Sequence, residues 1–430
     1  MKKSKNIIAC VLVLILLYCP AYASEEYLPV FGLQSNEQHA SPFEASYPNE
    51  TLFFTERGVN IDSIFALPTG NFLVFTFESQ NANSMSVHTE FMAWNQSLPR
   101  RWPDDIPPQS VLYQYSSEGT RLWKYPHPVA SMRVAGILPN GCILIRSVHI
   151  TEDQPQQDDV VFFLLDQDTG ERVELPAELT FLNHSLNSWA FQDIFIVQTG
   201  TPTLLGEKST ECFQYAQGVL TSKWKLDQAP LQNILLSDIL QCDDGLLFCG
   251  TKILSNTDSN MIAYKMTFDG QLEWFYEMEN DGSTYGRALA KTDDGTVLVG
   301  GGRIARPHGM DSSYFVLLQE KTGEPIKAFG LQALDTNVLI DAAWAGDAYW
   351  LYVSGLPYSS IVQLSNEGQV LSARELPDER SLSQFCDRFV LMPDKKTLFV
   401  YGNVPDDKEG EQTNTMFFSF LYQNGEKLFK

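Results

Sequence analysis

The sequence predicts an all-β protein: a seven-bladed β-propeller of four-stranded antiparallel sheets that follows an N-terminal signal peptide. Three observations lead to this prediction. Two series of hairpin turns each recur seven times, both series repeat about every 50 residues, and helical patterning is nearly absent after residue 24. A length of 430 residues suggests two or three domains, but the repeat runs over residues 55–430 without a linker and so predicts a single ring.

The first hairpin series joins two apolar strands through a tight polar turn. Clear copies are IFALPTGNFLVFTF at 64–77, AGILPNGCILIRSV at 135–148 and ALAKTDDGTVLVGG at 288–301. Asn-Gly and Asp-Gly pairs supply the positive φ that such turns require, and β-branched and aromatic residues suit the flanking strands. The turn centres are Gly70, Gly141, Asp193, Gly245, Gly295, Asp347 and Lys395.

The second hairpin series lies between successive copies of the first. Its turn glycines are Gly119, Gly170, Gly218, Gly270, Gly323, Gly368 and Gly425. Each repeat therefore has four strands, which we name a to d from the axis outward. A small sheet with two apolar faces must be covered by neighbours, and closing such sheets into a ring leaves only short edges. An open solenoid would satisfy the same repeat.

The first 23 residues have the pattern of a bacterial signal peptide. Three lysines precede the apolar run Ile7–Leu17, and Ala21 and Ala23 are the small residues that a signal peptidase reads. Cleavage after Ala23 is favoured, and residues 24–54 are then an extended N-terminal segment before the ring. The sequence thus predicts export, to a secreted, cell-surface or periplasmic location in a bacterium.

Two alternatives for this segment stay open. An uncleaved membrane anchor is disfavoured because the apolar run is shorter than the roughly 20 residues that a spanning helix needs. A lipoprotein would use Cys19, but Tyr18 occupies the position of a small residue. No stable membrane span is expected after cleavage.

The charge balance argues against nucleic acid and anionic membrane surfaces as partners. Removal of Lys2, Lys3 and Lys5 lowers the 30 basic residues to 27 against 53 acidic residues, so the net charge falls from −23 to −26. A protein with a large negative net charge repels phosphate backbones and anionic lipid headgroups.

The cysteines predict neither disulfides nor a metal site. Cys142, Cys212, Cys242, Cys249 and Cys386 remain after cleavage, an odd number without zinc-ligand spacing. If Asp244-Gly245 formed the turn between them, Cys242 would face Leu247 and Cys249 would face Leu240. We therefore expect buried, unpaired thiols.

Several second-series units resemble the repeat of quinoprotein-type (PQQ-like) β-propellers, among them LLDQDTGERVEL, MTFDGQLEW and LLQEKTGEPIKAF. In that family a D-x-x-T-G-x-x-x-W turn places a tryptophan at the interface between blades. Trp123, Trp224 and Trp274 stand at this position. The other four repeats have Val173, Phe329, Ala373 and Phe429 nearby. The resemblance covers about residues 55–430 and implies only the fold. Quinoprotein dehydrogenases carry an adjacent cysteine pair over the cofactor, which this chain lacks, so no cofactor is expected.

Strand order assigns the connections to two rims. The a–b and c–d turns form a short-turn rim, and the b–c and d–a connections form a long-loop rim, where ligand-binding residues are expected. The largest feature there is a b–c insertion in the first repeat, residues 79–110. It carries Phe91, Trp94 and Trp102, which predict an apolar or sugar-stacking platform. Alternatively, these side chains plug the central channel.

A second candidate lies in the fifth repeat, where GGGRIARPHGMDSS at 300–313 predicts a loop. Arg303, Arg306 and His308 form a positive cluster that could meet a carboxylate or sulfate. They could equally neutralise nearby acids. The triple glycine is not a phosphate loop, because neither a helix nor a Lys-Ser/Thr pair follows it.

A third candidate is a set of charged residues six to eight positions before six of the seven a–b turn centres. They begin the innermost strands and are predicted to ring the channel mouth, either to position a polar ligand or as a collar of mutual salt bridges. The residues are Asp62, Arg133, Asp238, Arg287, Asp341 and Asp387.

Catalytic motifs are missing from the sequence. It contains no G-x-S-x-G, H-E-x-x-H or C-x-x-C, so no catalytic or metal-ligating residue is assigned. We therefore expect a non-catalytic propeller that binds an extracellular protein, peptide or glycan through its long-loop rim. The alternative is a hydrolase or lyase acting on an extracellular polymer, with channel-mouth carboxylates as acid and base.

Overall fold

In the computed structural model the protein is nearly all β-strand, with thirty strands among the described residues, numbered β1–β30. At several strand ends, and throughout residues 26–29, 52–57, 413–423 and 426–427, only the backbone is described. The structure describes residues 26–29, 52–57, 59–78, 109–117, 119–128, 130–149, 159–200, 207–226, 230–231, 233–255, 258–278, 283–305, 310–332, 337–355, 360–375, 386–395, 398–406, 413–423 and 426–427.

Two short strands precede the first complete sheet. They are β1, Glu26–Pro29, and β2, Leu52–Arg57. The first unit then runs in the order β3–β6, each strand antiparallel to the next. Its strands are Val59–Ala66, Phe72–Glu78, Gln109–Tyr115 and Arg121–Pro128.

The second and third units share one eight-stranded sheet, whereas the repeat predicted separate four-stranded sheets. The second unit, β7–β10, contains Ala130–Ile137, Cys142–His149, Asp159–Asp166 and Arg172–Val173. The third, β11–β14, contains Asn187–Phe191, Ile194–Gly200, Lys208–Ala216 and Val219–Leu226. Their innermost strands β7 and β11 pair in parallel at Gly136–Ala190 and Ile137–Phe191. A side chain at Gly136 would overlap Ala190, so the glycine permits this approach.

The fourth to sixth units repeat the antiparallel order. The fourth, β15–β18, contains Ile234–Gln241, Gly245–Ile253, Ser259–Thr267 and Leu272–Glu277. The fifth, β19–β22, contains Ser283–Lys291, Thr296–Ala305, Met310–Gln319 and Pro325–Gln332. The sixth, β23–β26, contains Asn337–Trp344, Tyr349–Gly355, Ser360–Leu364 and Val370–Glu375. Strand β1 adds in parallel to the outer edge of β22.

The last sheet joins the two ends of the chain. Its strands β27–β30 are Cys386–Leu391, Leu398–Asp406, Thr413–Gln423 and Glu426–Lys427. Strand β2 pairs with one part of β29, from Arg57–Thr415 to Leu52–Ser419, and β30 pairs with the other part at Tyr422 and Gln423. The N-terminal segment therefore supplies an outer strand to the C-terminal sheet.

The units contact one another in a closed cycle. Strand β7 contacts β3 and β5, β11 contacts β7, and β15 contacts β11. Strand β19 contacts β15–β17, β23 contacts β19–β21, and β27 contacts β23. The cycle closes where β3 contacts β27, β28 and β29. Within the described residues, no helix is long and apolar enough to cross a bilayer.

The apolar core lies between consecutive sheets because alternate residues of each strand face opposite neighbours. In β9, Phe163 and Leu165 pack with the first unit, whereas Phe162 and Leu164 pack with the third. Corresponding clusters lie between the third and fourth, fourth and fifth, fifth and sixth, and sixth and seventh units. Each sheet is thus stabilised by its neighbours and not by a separate core.

The tryptophans singled out by the resemblance connect one unit to the next. Trp274 of β18 donates its indole N–H to the Glu320 carbonyl in the c–d turn of the fifth unit, at 2.7 Å. Its ring covers the turn glycine, so a side chain at Gly323 would overlap it. Trp123 and Trp224 do the same with the carbonyls of Gln167 and Phe268, at 2.9 and 3.3 Å.

Between the second and third units this contact is replaced. Strand d of the second unit is only Arg172–Val173, and the 3-10 helix Ala177–His184 follows it. Leu179 and Leu182 of this helix are fully buried between the two units, and Phe181 lies 4.7 Å from Phe213 between ring centroids. The helix therefore fills the volume that a tryptophan fills elsewhere.

We expect Gly323→Ala to destabilise the protein more than Gly141→Ala. Both glycines have positive φ, +70° and +80°, which costs a residue with a Cβ about 1–2 kcal/mol. Only at Gly323 does the new methyl group also overlap a tryptophan ring, which adds about 1–3 kcal/mol, whereas no atom lies within 4 Å at Gly141. Urea unfolding of the two variants measures the difference, and equal losses would contradict the tryptophan–glycine contact.

Candidate functional site

The short-turn rim consists of tight turns closed by backbone hydrogen bonds. In the first unit the Leu67 amide donates to the Asn71 carbonyl at 2.8 Å, and the Gly70 amide donates to the Leu67 carbonyl at 2.9 Å. Gly70, Gly141 and Gly295 have φ of +88°, +80° and +88°. This confirms the predicted positive φ at these turn centres and leaves little room for a binding loop.

The turn of the fourth unit differs from the prediction. The Cys242 amide donates to the Gly245 carbonyl at 2.8 Å, so Asp243 and Asp244 form the turn and Gly245 begins β16. A side chain at Gly245 would overlap the Met266 carbonyl. Glycine is needed here because the two strands approach closely. The predicted turn centre Gly245 is therefore wrong.

The pairing register of β15 with β16 therefore also differs from the prediction. Leu240 faces Leu247, and Cys249 faces Asp238, so the predicted facing pairs of Cys242 and Cys249 are wrong. Both thiols are buried and unpaired, as expected, and so are those of Cys142 and Cys212. Burial raises the pKa of the Cys242 thiol to about 12, and the carboxylate of Glu320 contributes.

The predicted aromatic platform lies outside the described residues. Strand β4 ends at Glu78 and β5 begins at Gln109, so the insertion begins at 79, as predicted, and ends at 108, not at 110. Phe91, Trp94 and Trp102 fall within it and remain predictions. Glu78 and Gln109 face each other, so the base of the insertion is a closed hairpin.

The predicted loop at 300–313 is wrong. Strand β20 extends to Ala305 and strand β21 begins at Met310, which leaves only residues 306–309 as the connection. The glycines allow this extension: a side chain at Gly301 would overlap the Tyr285 carbonyl, and one at Gly302 would overlap the Tyr285 ring. The triple glycine therefore serves strand packing.

The positive cluster of the fifth unit is only partly described. Arg303 lies within β20, opposite Thr284 and Ser312, and its guanidinium carbon is 5.9 Å from the centroid of the Tyr314 ring. It therefore packs on an aromatic face instead of standing in a loop. Arg306 and His308 lie outside the described residues and remain predictions.

The charged positions of the inner strands lie at β-bulges or within two residues of one. The pairing register of β3, β19 and β27 shifts at Asp62, Arg287 and Asp387. Only the backbone of Asp62 and Asp387 is described. In β15 and β23 the shift comes one residue before Asp238 and Asp341, and in β7 it comes two residues after Arg133. Bulges re-aim side chains and leave backbone groups outside the ladder.

Two of the carboxylates bind backbone amides at these bulges. Asp238 Oδ1 accepts from the Ile239 amide at 2.9 Å, and its Oδ2 accepts from the Leu289 amide of the fifth unit at 2.8 Å. Asp341 Oδ1 likewise accepts from the Ala342 amide at 2.8 Å. Asp238 thus joins two inner strands. This contact fits a structural role, while the predicted ring of ligand-binding charges remains untested.

Arg133 belongs to a group that spans the second and third units. Its Nη2 donates to Asn187 Oδ1 at 3.0 Å. Arg146 faces Arg133 in the β7–β8 ladder, and its Nη2 donates to the Leu186 carbonyl at 3.2 Å. Sequence reasoning named Arg133 but missed Arg146 and Asn187, because hairpin pairing, and not the repeat position, brings them together.

A buried lysine between the fourth and fifth units also escaped sequence reasoning. The Lys265 side chain is 1% exposed, and its Nζ lies 2.8 Å from Asp244 Oδ2 and 3.1 Å from Glu273 Oε2. Glu320 of the fifth unit lies 3.8 Å from Lys265 Nζ and 3.3 Å from Lys291 Nζ. The available signal was a single lysine within the apolar run of β17.

The carboxylates keep this lysine charged. Burial by itself would lower the pKa of Lys265, but the hydrogen bonds and charges of Asp244 and Glu273 outweigh it and leave the pKa raised. The hydrogen bond from Lys265 in turn lowers the pKa of Asp244. A charged ammonium is a poor nucleophile, so this cluster fits ion pairing better than catalysis.

Comparisons with known proteins support the fold. No protein-family model matches the sequence, and no curated protein matches it. The structure of the polysaccharide lyase Uly1 is similar over 84% of this chain and 90% of its own, with a TM-score of 0.52 and 10% identity. At that identity the likeness shows a shared propeller-type fold and not a shared activity.

Two other similar structures are enzymes of different kinds. An α-L-arabinanase of Penicillium chrysogenum, complexed with arabinobiose, matches 67% of this chain and 93% of its own, with 10% identity and a TM-score of 0.43. A PQQ-bound aldose sugar dehydrogenase of Streptomyces coelicolor matches 68% and 98%, with 11% identity and a TM-score of 0.37.

We expect Lys265→Met to lower the free energy of unfolding by about 2 kcal/mol near neutral pH, because three acidic side chains lose their buried cation. The lowered pKa of Asp244 stabilises the fold above the ordinary carboxyl pKa and ceases to do so as pH falls through the folded value. The difference between wild type and variant should therefore persist at about pH 5 and shrink only as the pH falls below about 4, toward the lowered folded pKa of Asp244.

Urea unfolding at about pH 7 and about pH 3 tests this expectation. Lys225→Met is the matched control, since Lys225 pairs with Glu211 at 3.0 Å but is 50% exposed. An exposed pair contributes about 0–1 kcal/mol. A Lys265→Met loss no larger than that of Lys225→Met would contradict the assigned role.

Proposed function

We propose that this protein is an exported, seven-bladed β-propeller that binds an extracellular protein, peptide or glycan through its long-loop rim without catalysing a reaction. The observation that carries the proposal is the contrast between the rims. On one rim tight turns close every described hairpin within a few residues, while on the other the connections include residues 79–108, 174–186 and 376–385. Long connections on a rigid scaffold are where binding residues concentrate.

The blade count follows from dividing the eight-stranded sheet at its parallel bridge. That bridge has only two residue pairs, and on either side of it lies a complete antiparallel unit. Counted in this way, the described units support the proposed seven blades. Cyclic contact between their inner strands supports a closed ring over an open solenoid.

A polymer-acting hydrolase or lyase is the second candidate. The fold likeness to a polysaccharide lyase favours it. The engagement of both Asp238 oxygens with backbone amides counts against that residue as a general acid or base, because such a group must be oriented to exchange a proton with substrate.

Export rests on residues 1–23, which have the composition of a cleaved signal peptide. We expect the mature chain to begin at Ser24, two residues before β1. Intact-mass measurement of the protein recovered from outside the cytoplasm checks this. A mass that includes residues 1–23, or a lipid adduct on Cys19, would replace cleavage after Ala23 with one of the anchored forms.

We expect the insertion of the first blade to be required for binding. Because Glu78 faces Gln109, residues 79–108 can be replaced by an Asn-Gly turn that closes the β4–β5 hairpin without disturbing either strand. On glycan and peptide arrays the mature wild type should bind a restricted set of ligands, and this variant should lose that binding with an unchanged melting temperature.

A milder variant separates the aromatic side chains from the loop as a whole. Trp94→Ala and Trp102→Ala together keep the chain length and remove the proposed stacking surface. Equal array binding by the wild type and the loop-replaced variant would refute the choice of loop. Release of new reducing ends from a polysaccharide panel by the wild type would favour the enzyme instead.

A further inference from the structure

We propose that the outer edge of β22 is a docking surface for an extended segment of a partner protein, which adds to the fifth unit as a further β-strand and replaces β1 there. This surface lies on the circumference of the ring and is separate from the long-loop rim. The segment that fits it is uncharged, runs parallel to β22 and pairs along the whole of that strand, Pro325–Gln332.

A strand of the chain itself is already seated on this edge. Strand β1 pairs in parallel with β22, from Glu26–Phe329 to Pro29–Gln332. The other side of β22 pairs with β21, so β1 uses the backbone groups of the outer edge. Pairing through main-chain groups is how proteins bind peptides by strand addition. The edge therefore accepts an extended segment.

Outer strands of other units are protected against such pairing. We compare the fourth pair of each c–d ladder, counted from the β-bulge near its turn; in the fifth unit this pair is Tyr314–Gly330. The outer-strand residues at this position are Pro126, Glu277 and Glu375 in the first, fourth and sixth units. Proline or a charge on an edge strand hinders the addition of another strand. Gly330 provides neither, and β1 lies beside it.

The proline of the first unit also indicates which way the backbone points at this position. Proline has no N–H group, yet β6 pairs with β5 on both sides of Pro126. The four-stranded unit therefore does not need an amide there. By equivalence, the N–H of Gly330 points away from β21 and toward the outer edge, where an added strand accepts its hydrogen bond.

Strand β1 covers only part of the edge. Its pairing begins at Phe329, and within the described residues no strand lies along the outer side of Pro325–Ala328. If the mature chain begins at Ser24, it is too short to extend β1 along all of this half. Ile326, in the same half, is 50% exposed. A longer segment makes more main-chain pairs than β1 and also covers Ile326, so it displaces β1.

The chemistry of the edge indicates an uncharged partner. No residue from Ala328 to Gln332 is charged, and Phe329, Gly330 and Leu331 are buried. A charged side chain held against this part of the strand would lose hydration. β-Branched and aromatic residues suit an added strand better, because they pack well on a pleated surface.

The test uses two labelled peptides as the partner segment. The first has the sequence of residues 24–29, SEEYLP. The second, ITVQTYLP, is uncharged and long enough to pair from Pro325 to Gln332. A version of the second peptide with two internal prolines cannot pair and is the negative control. Fluorescence anisotropy measures the affinity of each peptide for the mature protein and for a shortened form without residues 24–29, in which the edge is open.

We expect the second peptide to bind the shortened form at least about tenfold more tightly than the first peptide does, because it makes more main-chain pairs. The second peptide should bind the mature protein at least about tenfold more weakly than the shortened form, because the tethered β1 competes for the edge. The proline-containing peptide should not bind either form.

Two substitutions in the shortened form close the edge. Gly330→Pro copies the residue of the first unit, and Gly330→Glu copies that of the fourth and sixth units. Each should weaken binding of the second peptide by at least about tenfold, because one removes a donor and the other adds a charge. Glu375→Pro makes the same backbone change on the outer strand of the sixth unit and should bind as the shortened form does. If Gly330→Pro lowers the melting temperature strongly, Gly330→Glu decides.

Three results would overturn the proposal. The first is a shortened form that does not bind the second peptide, and the second is unchanged binding by both Gly330 variants. The third is a shortened form that dimerises in light scattering without binding peptide, which would assign the edge to a second copy of the chain. All three leave residues 79–108 intact, so the array experiment decides the proposed function separately.

Discussion

Every sheet of this protein has two apolar faces, and only its neighbours can cover them. The contacts between neighbouring sheets meet that constraint, because a four-stranded sheet with one open face would expose side chains such as Phe162 or Phe163, which are almost fully buried. The tryptophans of β6, β14 and β18 add specific hydrogen bonds to these apolar contacts between units. Each anchors one unit to the c–d turn of the next by both an indole hydrogen bond and ring contact.

Polar side chains also connect neighbouring units, both at the innermost strands and on the short-turn rim. Asp238 joins the inner strands of two units through backbone amides, and Lys265 joins carboxylates of the same two units on the short-turn rim. Buried polar groups of this kind tolerate little displacement, because each lost contact leaves a desolvated donor or charge. They hold the ring rigid and hence suit it to present loops.

The two rims of this framework differ in their connections. The short-turn rim consists of turns closed by backbone hydrogen bonds, whereas the longer connections, such as residues 174–186, lie on the opposite rim.

The sequence by itself determined the repeat, the hairpin strand pairs and the positions of most turn glycines, because alternating burial and positive φ are local properties. The resemblance to the quinoprotein-type repeat also implied that Trp274 lies at an interface between units. Only the tertiary structure decided that Asp243 and Asp244 form the fourth turn, that Gly300–Gly302 belong to a strand, and that Arg146 stands beside Arg133. Those outcomes depend on how closely a strand approaches its neighbour, as at Tyr285 and Gly302, and such distances are set by packing between units that lie far apart in the chain.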